Sequence, residues 1–246
     1  MYALIGYPVK HSFSQKYFSK KFQNENIDEK YHLFSAQNID IVNRILNENA
    51  DLKGANVTLP YKEKIIPLLS ELSEDAEEIG AVNCIKFIKS NNNEKLHSIG
   101  YNTDWRGFSL SLLPFLDSIG NSALVFGSGG ASKAICYALK KLNITPTVVS
   151  RTPQIGQLDY CKINEDIIKG NLLLVNTTPL GMYPNIDSFP PVPYQFLSKK
   201  HLCYDLVYNP LDTLFMKKAR TFGARVKNGL EMLYNQAEMS WKIWND

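Results

Sequence analysis

Residues 122–142 restrict the fold of this chain more than any other stretch. An apolar run typical of a β-strand leads into Gly127-Ser128-Gly129-Gly130, and an amphipathic helical pattern follows. Gly127 permits a tight turn and Gly129 lets the backbone approach a phosphate, while the start of the helix offers free N–H groups and a positive dipole end. The stretch predicts a dinucleotide pyrophosphate site, although Ser132 stands at the usual third glycine. The alternative is an ordinary strand-to-helix turn.

The residue that ends the next strand indicates which dinucleotide is bound. Thr147-Val148-Val149-Ser150 has the pattern of a strand, and Arg151 follows it, about twenty residues beyond the glycines. At that position an NAD site usually carries Asp or Glu for the ribose 2′-hydroxyl, whereas Arg suits the 2′-phosphate of NADP. The sequence therefore predicts NADP, with NAD less favoured. A solvent-exposed loop arginine is the alternative.

Composition narrows the class of protein. The chain has 246 residues, 44% hydrophobic and 21% charged, which fits a soluble globular protein of one large or two modest domains. A formal net charge of only +3 and the lack of a basic tract argue against a nucleic-acid partner. The sequence has no signal peptide, no apolar run long enough for a membrane span, no CxxC pair and no clustered histidines. We expect a cytoplasmic protein without a metal and without membrane partners.

The N-terminal part alternates between strand and helix patterns. Strands are predicted over 2–6 and 30–36, and helices over 15–25 and 39–46. Ser14 is predicted to cap the first helix. Because capping accounts for only one of the two hydroxyls at this turn, Ser12 and Ser14 together also suit a small polyol or acid.

Two further turns carry polar side chains that local structure does not fully explain. Asn56 and Thr58 alternate along an extended segment, so both are expected on one side. Lys62 is predicted near the start of the next helix, where a cation opposes the helix dipole. A solvated surface lysine is the alternative. Asp104 suits the N-cap of a helix running to about Leu116, and it also lies at the join to the nucleotide-binding unit.

The remaining pattern is consistent with an α/β protein. A helix is predicted over 74–79, and residues 80–85 are predicted to enter a strand that runs to about 89. A polar turn is predicted over 90–95 and a second strand over 96–101. Beyond Arg151, strands are predicted over 172–175, 202–207 and 225–227. A helix is predicted over 213–222, and the chain ends in a helix that runs to about 244. The segment between residues 151 and 171 has barely enough length for a crossover helix.

Taken in this order, the motifs resemble the shikimate dehydrogenase family almost end to end. Each motif is weak alone, but the set is specific. It comprises His11-Ser12-Phe13-Ser14, Asn56-Val57-Thr58-Leu59-Pro60-Tyr61-Lys62, Gly80-Ala81-Val82-Asn83, Asn102-Thr103-Asp104 and Gly127 to Ser132.

The resemblance implies roles for particular residues. Lys62 and Asp104 are the implied catalytic pair. Substrate binding is implied for Ser12, Ser14, Asn56, Thr58, Asn83, Asp104, Tyr208 and Gln236. Cofactor binding is implied for Gly127, Gly129, Gly130, Ala131, Arg151, Thr152, Thr178, Gly229 and Met232.

The resemblance also implies the architecture and the reaction. An N-terminal α/β substrate domain, residues 1–104, is rejoined by the C-terminal helix, residues 228–246. Residues 105–227 form a Rossmann-type, doubly wound NADP-binding domain. The implied reaction is the reversible NADPH-dependent reduction of 3-dehydroshikimate to shikimate, in chorismate and aromatic amino acid biosynthesis. The only partner implied is this small molecule, bound by a monomer or homodimer.

The chain departs from the family pattern at the adenosine side. Ser150-Arg151-Thr152 replaces the family's Asn-Arg-Thr, Ile155 replaces a second basic residue, and residues 151–171 are few for the family. The alternatives are a quinate or quinate/shikimate dehydrogenase of the same fold, and a non-catalytic NADP-sensing module. The presence of both Lys62 and Asp104 argues against a sensor, which needs neither.

Overall fold

The structure is a computed structural model that describes residues 1–10, 12–89 and 96–246. The turn predicted over 90–95 and His11 of the first motif lie outside the described residues. Contacts divide the chain into two compact units, Met1–Thr103 with Ala237–Asp246, and Asp104–Gln236. The second boundary falls within the C-terminal helix rather than at residue 228. That one unit binds substrate and the other cofactor stays a prediction.

The first unit contains short strands that alternate with helices. Its strands are β1 Tyr2–Gly6, β2 Tyr31–Ser35, β3 Gly54–Val57, β4 Glu71–Leu72, β5 Cys84–Lys89 and β6 Leu96–Tyr101. Its helices are α1 Phe13–Asn24, α2 Ile39–Glu48 and α3 Glu74–Ile79, with a 3₁₀ turn at Ile66–Leu68.

The sheet of the first unit is mixed. Among the described residues its strand order is β2-β1-β3-β5-β6-β4. The β1 strand runs parallel to both β2 and β3, whereas β3–β5 and β5–β6 are antiparallel. An aliphatic core that includes Ile5 and Ile65 forms one hydrophobic cluster of the unit, and an aromatic cluster of Tyr2, Phe18 and Trp244 forms another.

Two local predictions in this unit are wrong. The cap of α1 is Ser12, whose hydroxyl accepts from the Ser14 backbone N–H at 3.1 Å, so Ser14 lies inside the helix. Lys62 lies in a turn that leads to the 3₁₀ turn and not at the start of an α-helix. Pro67 within that turn cannot donate a helical hydrogen bond, which limits helix formation there.

The second unit alternates strand and helix more regularly. Its helices are α4 Asp104–Leu112, α5 Gly130–Lys141, α6 Glu165–Gly170, α7 Leu214–Thr221 and the first part of α8 Leu230–Asn245, with 3₁₀ segments at Leu113–Ser118, Tyr160–Lys162 and Tyr194–Phe196. Its strands are β7 Ser122–Phe126, β8 Thr145–Ser150, β9 Leu158–Asp159, β10 Leu173–Asn176, β11 Leu202–Asp205 and β12 Arg225–Asn228. Asp104 is the first residue of α4 and not a cap before it.

The second sheet confirms the predicted doubly wound fold. Its order among the described residues is β12-β11-β10-β7-β8-β9, and every pairing is parallel. The strand order therefore reverses between β7 and β10, with β8 and β9 on one side and β11 and β12 on the other. This is the Rossmann switch point, where ligands bind beyond the carboxyl ends of the strands. Between β8 and β10 the chain passes through β9 and the 3₁₀ segment Tyr160–Lys162, and the α-helix of this crossover is the short α6.

The described residues contain no helix that is long and apolar enough to cross a membrane. Nor does this part of the chain bring together three or more His, Cys, Asp or Glu side chains that could hold a metal ion.

Candidate substrate and cofactor residues

Thr58 is held beside the end of β1. Its backbone N–H donates to the Ile5 carbonyl at 2.9 Å, and a Cβ at Gly6 would collide with the Thr58 methyl group. Glycine at position 6 is therefore required by this close approach. Thr58 is only partly buried, so a ligand can reach it.

The two serines at the start of α1 differ in their surroundings. Ser12 is partly exposed and its oxygen already accepts the Ser14 N–H, whereas Ser14 is buried at 8% exposure. The Ser14 side chain lies close enough to the Tyr31 phenol on β2 to lower its pKa, against the larger and opposite effect of burial. The predicted pair is therefore brought to one turn, but the two hydroxyls are not equivalent.

Asn56 lies in a buried polar network. Its Oδ1 accepts from the Tyr31 hydroxyl at 2.8 Å, and its Nδ2 donates to the Asn83 carbonyl at 3.2 Å and to Ser240 Oγ at 2.8 Å. Asn56 is 5% exposed. Both ends of the amide are thus bonded within the protein, and Tyr31 and Ser240 were not found by sequence reasoning.

Asn83 and Thr103 are hydrogen-bonded to each other at the other side of this network. Thr103 N–H donates to Asn83 Oδ1 at 2.6 Å, and Asn83 Nδ2 donates to Thr103 Oγ1 at 3.0 Å. Thr103 Oγ1 also lies 3.3 Å from Ser240 Oγ. These bonds fix the backbone immediately before Asp104.

The two residues of the proposed catalytic pair fall in different contact units. Lys62 is partly buried, and its carbonyl accepts from the Val82 N–H at 2.7 Å, which ties its turn to the segment before Asn83. Asp104 is 6% exposed and begins the second unit.

The turn after β7 has the geometry that its glycines predict. Gly127 has φ +106°, a conformation that L side chains rarely adopt, and a Cβ there would lie 2.8 Å from Thr177 Oγ1. The Thr177 hydroxyl donates to the Phe126 carbonyl at 2.6 Å. The start of the turn is therefore fastened to the loop after β10.

The beginning of α5 offers its backbone to a ligand. Its N-cap, Gly129, has no side chain to satisfy the first N–H groups, and the first turn contains no acidic residue. A Cβ at Gly129 would meet no atom within 4 Å, so packing within the chain does not require glycine there. Gly130 is buried and Ala131 is partly buried behind it. A pyrophosphate fits this loop, and its close approach explains the glycine.

Arg151 and Thr152 are exposed just beyond β8. The Thr152 N–H donates to Ser150 Oγ at 3.3 Å, and Ile155 in the same loop is fully exposed. Burial raises the pKa of Tyr160 to about 12, against the opposing effect of the Arg151 charge, so the guanidinium lies close enough to act on that phenol. A planar cation at this strand end suits a 2′-phosphate.

A buried carboxylate joins the loops after β10 and β11. Asp205 accepts from Asn176 Nδ2 at 2.9 Å, from the Val207 N–H at 3.0 Å and from Thr213 Oγ1 at 2.6 Å. Burial raises the pKa of Asp205 to about 6, although these three donors oppose the shift. The Thr178 hydroxyl donates to Asn176 Oδ1 at 2.6 Å. Thr178 is thereby held in place, and an Asp within an apolar strand was the available sequence signal.

The remaining predicted residues lie in the second unit. Gly229 is required because a Cβ would collide with the backbone of Leu206. Met232 packs into the core, and Gln236 Nε2 donates to the Leu233 carbonyl at 2.9 Å. Burial raises the pKa of Tyr208, which lies in the loop after β11.

Comparison with known proteins extends these observations. A family model described as the shikimate dehydrogenase substrate binding domain matches residues 4–85. The NADP(+) shikimate dehydrogenase of Caldanaerobacter subterraneus is 38% identical over 99% of this chain and 91% of the relative. The shikimate dehydrogenase structure from Aquifex aeolicus has a TM-score of 0.86 at 34% identity, covering 99% of this chain and 91% of that one. The shikimate 5-dehydrogenase of Thermus thermophilus, in complex with NADP(H) and shikimate, has a TM-score of 0.84 at 29% identity, covering 99% and 92%.

Proposed function

The chain belongs to the shikimate dehydrogenase family, and on this premise we propose that it catalyses the reversible NADPH-dependent reduction of 3-dehydroshikimate to shikimate. One observation of the structure supports the part of the proposal that concerns NADP binding. The turn after β7 and the uncapped start of α5 present backbone donors at the switch point of a Rossmann sheet, with Arg151 at the end of the neighbouring strand.

This geometry supports a proposed set of residues that would hold NADP. The backbone of Gly127, Gly129, Gly130 and Ala131 would bind the pyrophosphate, and Arg151 with Thr152 would bind the 2′-phosphate. Thr178, Gly229 and Met232 complete the proposed cofactor residues. NADPH, when bound, supplies the hydride.

The proposed substrate residues suit a small polyhydroxylated acid. Ser12 and Ser14 would meet the carboxylate with help from Tyr208. The ring hydroxyls would be bound by amide, hydroxyl and carboxylate side chains, those of Asn56, Thr58, Asn83, Asp104 and Gln236. Amides and hydroxyls both donate and accept, so they can bind a hydroxyl in either sense.

Lys62 and Asp104 would handle the proton. Hydride addition to a ketone leaves negative charge on its oxygen, and a positioned acid must supply a proton there. Lys62 is the better proton donor because it is cationic. Asp104 would hold and orient the hydroxyl that forms when this oxygen is protonated. In the oxidative direction Lys62 would take the proton back.

Three finer points belong to the proposal. Shikimate, rather than a protein, nucleic acid or membrane, is the proposed partner. The assembly is a monomer or a homodimer. A biosynthetic enzyme of this kind would work in the cytoplasm.

A turnover assay tests the proposal. The purified chain is mixed with shikimate and NADP⁺, and nicotinamide absorbance is followed, with parallel arms that contain NAD⁺ or quinate. Rapid reduction with shikimate and NADP⁺ is expected. A faster rate with quinate would assign the chain to the quinate enzymes of this fold. Binding of NADP⁺ without turnover of either acid would support the sensing module instead.

A further inference from the structure

Tyr31 links two of the proposed substrate residues. It lies on β2, and Asn56 lies on β3, with β1 between them. The long phenol spans the intervening strand, so that its hydroxyl donates to Asn56 Oδ1 at 2.8 Å. The Ser14 side chain lies close enough to the same phenol to lower its pKa. Its ring is fixed by stacking on Phe18, with centroids 4.7 Å apart and planes 13° apart.

The direction of the hydrogen bonds in this chain of groups can be worked out. The Asn83 carbonyl can only accept, so the Asn56 end that faces it is the NH₂ group. The other end, Oδ1, therefore faces Tyr31 and must receive the phenolic proton. Since Tyr31 gives its one proton to Asn56, its oxygen can only accept from a further hydroxyl such as that of Ser14.

The protonation state of Tyr31 agrees with this direction. Burial raises the pKa of the phenol well above its ordinary value, and Tyr31 is 4% exposed. The hydroxyl therefore keeps its proton at neutral pH and remains a donor to Asn56.

We propose that Tyr31 is a positioning residue, which holds Ser14 and Asn56 in the orientations that bind substrate through a directed chain from Ser14 to Tyr31 to Asn56. The proposal rests on the proposed function. In such a chain the Ser14 proton would point to Tyr31 in the free protein, and a substrate carboxylate would draw it away. Ser12, whose oxygen accepts a backbone N–H, keeps its own proton for a ligand.

The chain offers a matched pair of substitutions. Tyr31→Phe removes only the hydroxyl, and Tyr2→Phe makes the same change in the same aromatic cluster, where Tyr2 stacks on Trp244 at 4.9 Å. Tyr2 and Tyr31 are equally buried, but the electrostatic neighbours of Tyr2 are Glu29 and Lys53 and not proposed substrate residues.

Steady-state kinetics with both substrates separate positioning from simple packing. Tyr31→Phe should raise KM for shikimate about 3–10-fold, the loss expected for one hydrogen bond, while KM for NADP⁺ stays unchanged. Tyr2→Phe should leave both values unchanged. Melting temperatures of the two variants show whether any effect is merely loss of stability.

A double-variant cycle makes the test sharper. Ser14→Ala and Tyr31→Phe combined should raise KM for shikimate less than the product of the single effects, because both remove the same link. Equal KM values in Tyr31→Phe and Tyr2→Phe, or fully multiplicative effects in the cycle, would overturn the proposal. If the unmodified chain does not turn over shikimate, the proposed function is wrong. That result is distinguishable from a failure of the proposal for Tyr31, which requires an active unmodified chain.

Discussion

The proposed substrate residues and the proposed cofactor residues are built in opposite ways. In the first unit, Ser14, Asn56 and Asn83 are buried, and both asparagines are hydrogen-bonded to neighbouring side chains. In the second unit, Gly129 and Arg151 are exposed, and the start of α5 carries no side-chain cap. A polyol must be recognised by amides and hydroxyls of fixed orientation, whereas a phosphate can be held by backbone donors and one mobile cation.

This difference predicts which substitutions affect stability and which affect only ligand binding. Removing one group from the buried network leaves another polar group without its partner, which costs more than the bond itself. Removing an exposed cation affects its ligand and little else. The following predictions are arranged from the largest expected effect to the smallest.

The largest effect is expected at Lys62. Lys62→Met should lower kcat by about 10²–10⁴-fold if proton transfer is its contribution, while shikimate binding measured by calorimetry persists. Lys64→Met is the matched control, since Lys64 is exposed in the same turn. The effects of Lys62→Met and Asp104→Asn should combine to less than their product, as expected for groups that act as a unit. A normal kcat in Lys62→Met would remove Lys62 from the chemistry.

The next effect tests the exposed cation. Arg151→Ala should weaken NADP⁺ binding by about 1.5–3 kcal/mol, the range for hydrogen bonds to charged groups, and leave NAD⁺ binding unchanged. Dissociation constants for the two dinucleotides, measured by titration on both proteins, provide the comparison. An equal loss for NADP⁺ and NAD⁺ would show that Arg151 does not read the 2′-phosphate.

The sequence accounts for these two regions unequally. The glycine turn, the alternating strands and the strand-end Arg151 together indicate the second sheet, because local patterns set Rossmann topology. The network around Asn56 could not be predicted, since Tyr31 and Ser240 are distant in sequence and meet only when the sheet forms. The sequence pattern led to Ser14 as the cap of α1, whereas the extended backbone of Ser12 makes Ser12 the cap.

A third prediction concerns the Asp205 carboxylate, which is buried in the second unit. The polar network around Asn56 in the first unit is neutral by comparison. Burial raises the pKa of Asp205 from its ordinary 3.8 to about 6, so between those pH values the folded chain binds more protons than the unfolded chain. The contribution of this group to the free energy of unfolding therefore falls as pH rises through that window, by about 1–3 kcal/mol, and stays low above it.

Asp205→Asn tests this directly. Asparagine can still accept from Asn176 and Val207, and the Thr213 hydroxyl can turn to accept from the new amide. Relative to the unmodified chain, the variant should therefore be more stable at about pH 7.5 than at about pH 4. Urea unfolding of both proteins at the two pH values gives the difference. A difference that does not change with pH would contradict the assignment.

The smallest effect is expected at Ser12. Ser12→Ala should raise KM for shikimate about 2–12-fold with little change in kcat, because a carboxylate contact is equal in ground and transition states. Loss of the α1 cap should also cost about 1 kcal/mol of stability. Ser73→Ala, which removes the cap of α3, is a control for capping alone. A KM equal to that of Ser73→Ala would exclude Ser12 from substrate binding.

One calorimetric experiment tests the contrast between the two units most directly. Shikimate and NADP⁺ are each titrated into the unmodified chain, Ser12→Ala and Gly129→Ala. Gly129→Ala should melt at the normal temperature, because its Cβ meets no atom of the chain within 4 Å, yet it should bind NADP⁺ about 5–100-fold more weakly through crowding of the pyrophosphate. The account predicts that Gly129→Ala weakens only NADP⁺ and Ser12→Ala weakens only shikimate. Normal NADP⁺ affinity in Gly129→Ala, or equal losses for both ligands in either variant, would contradict it.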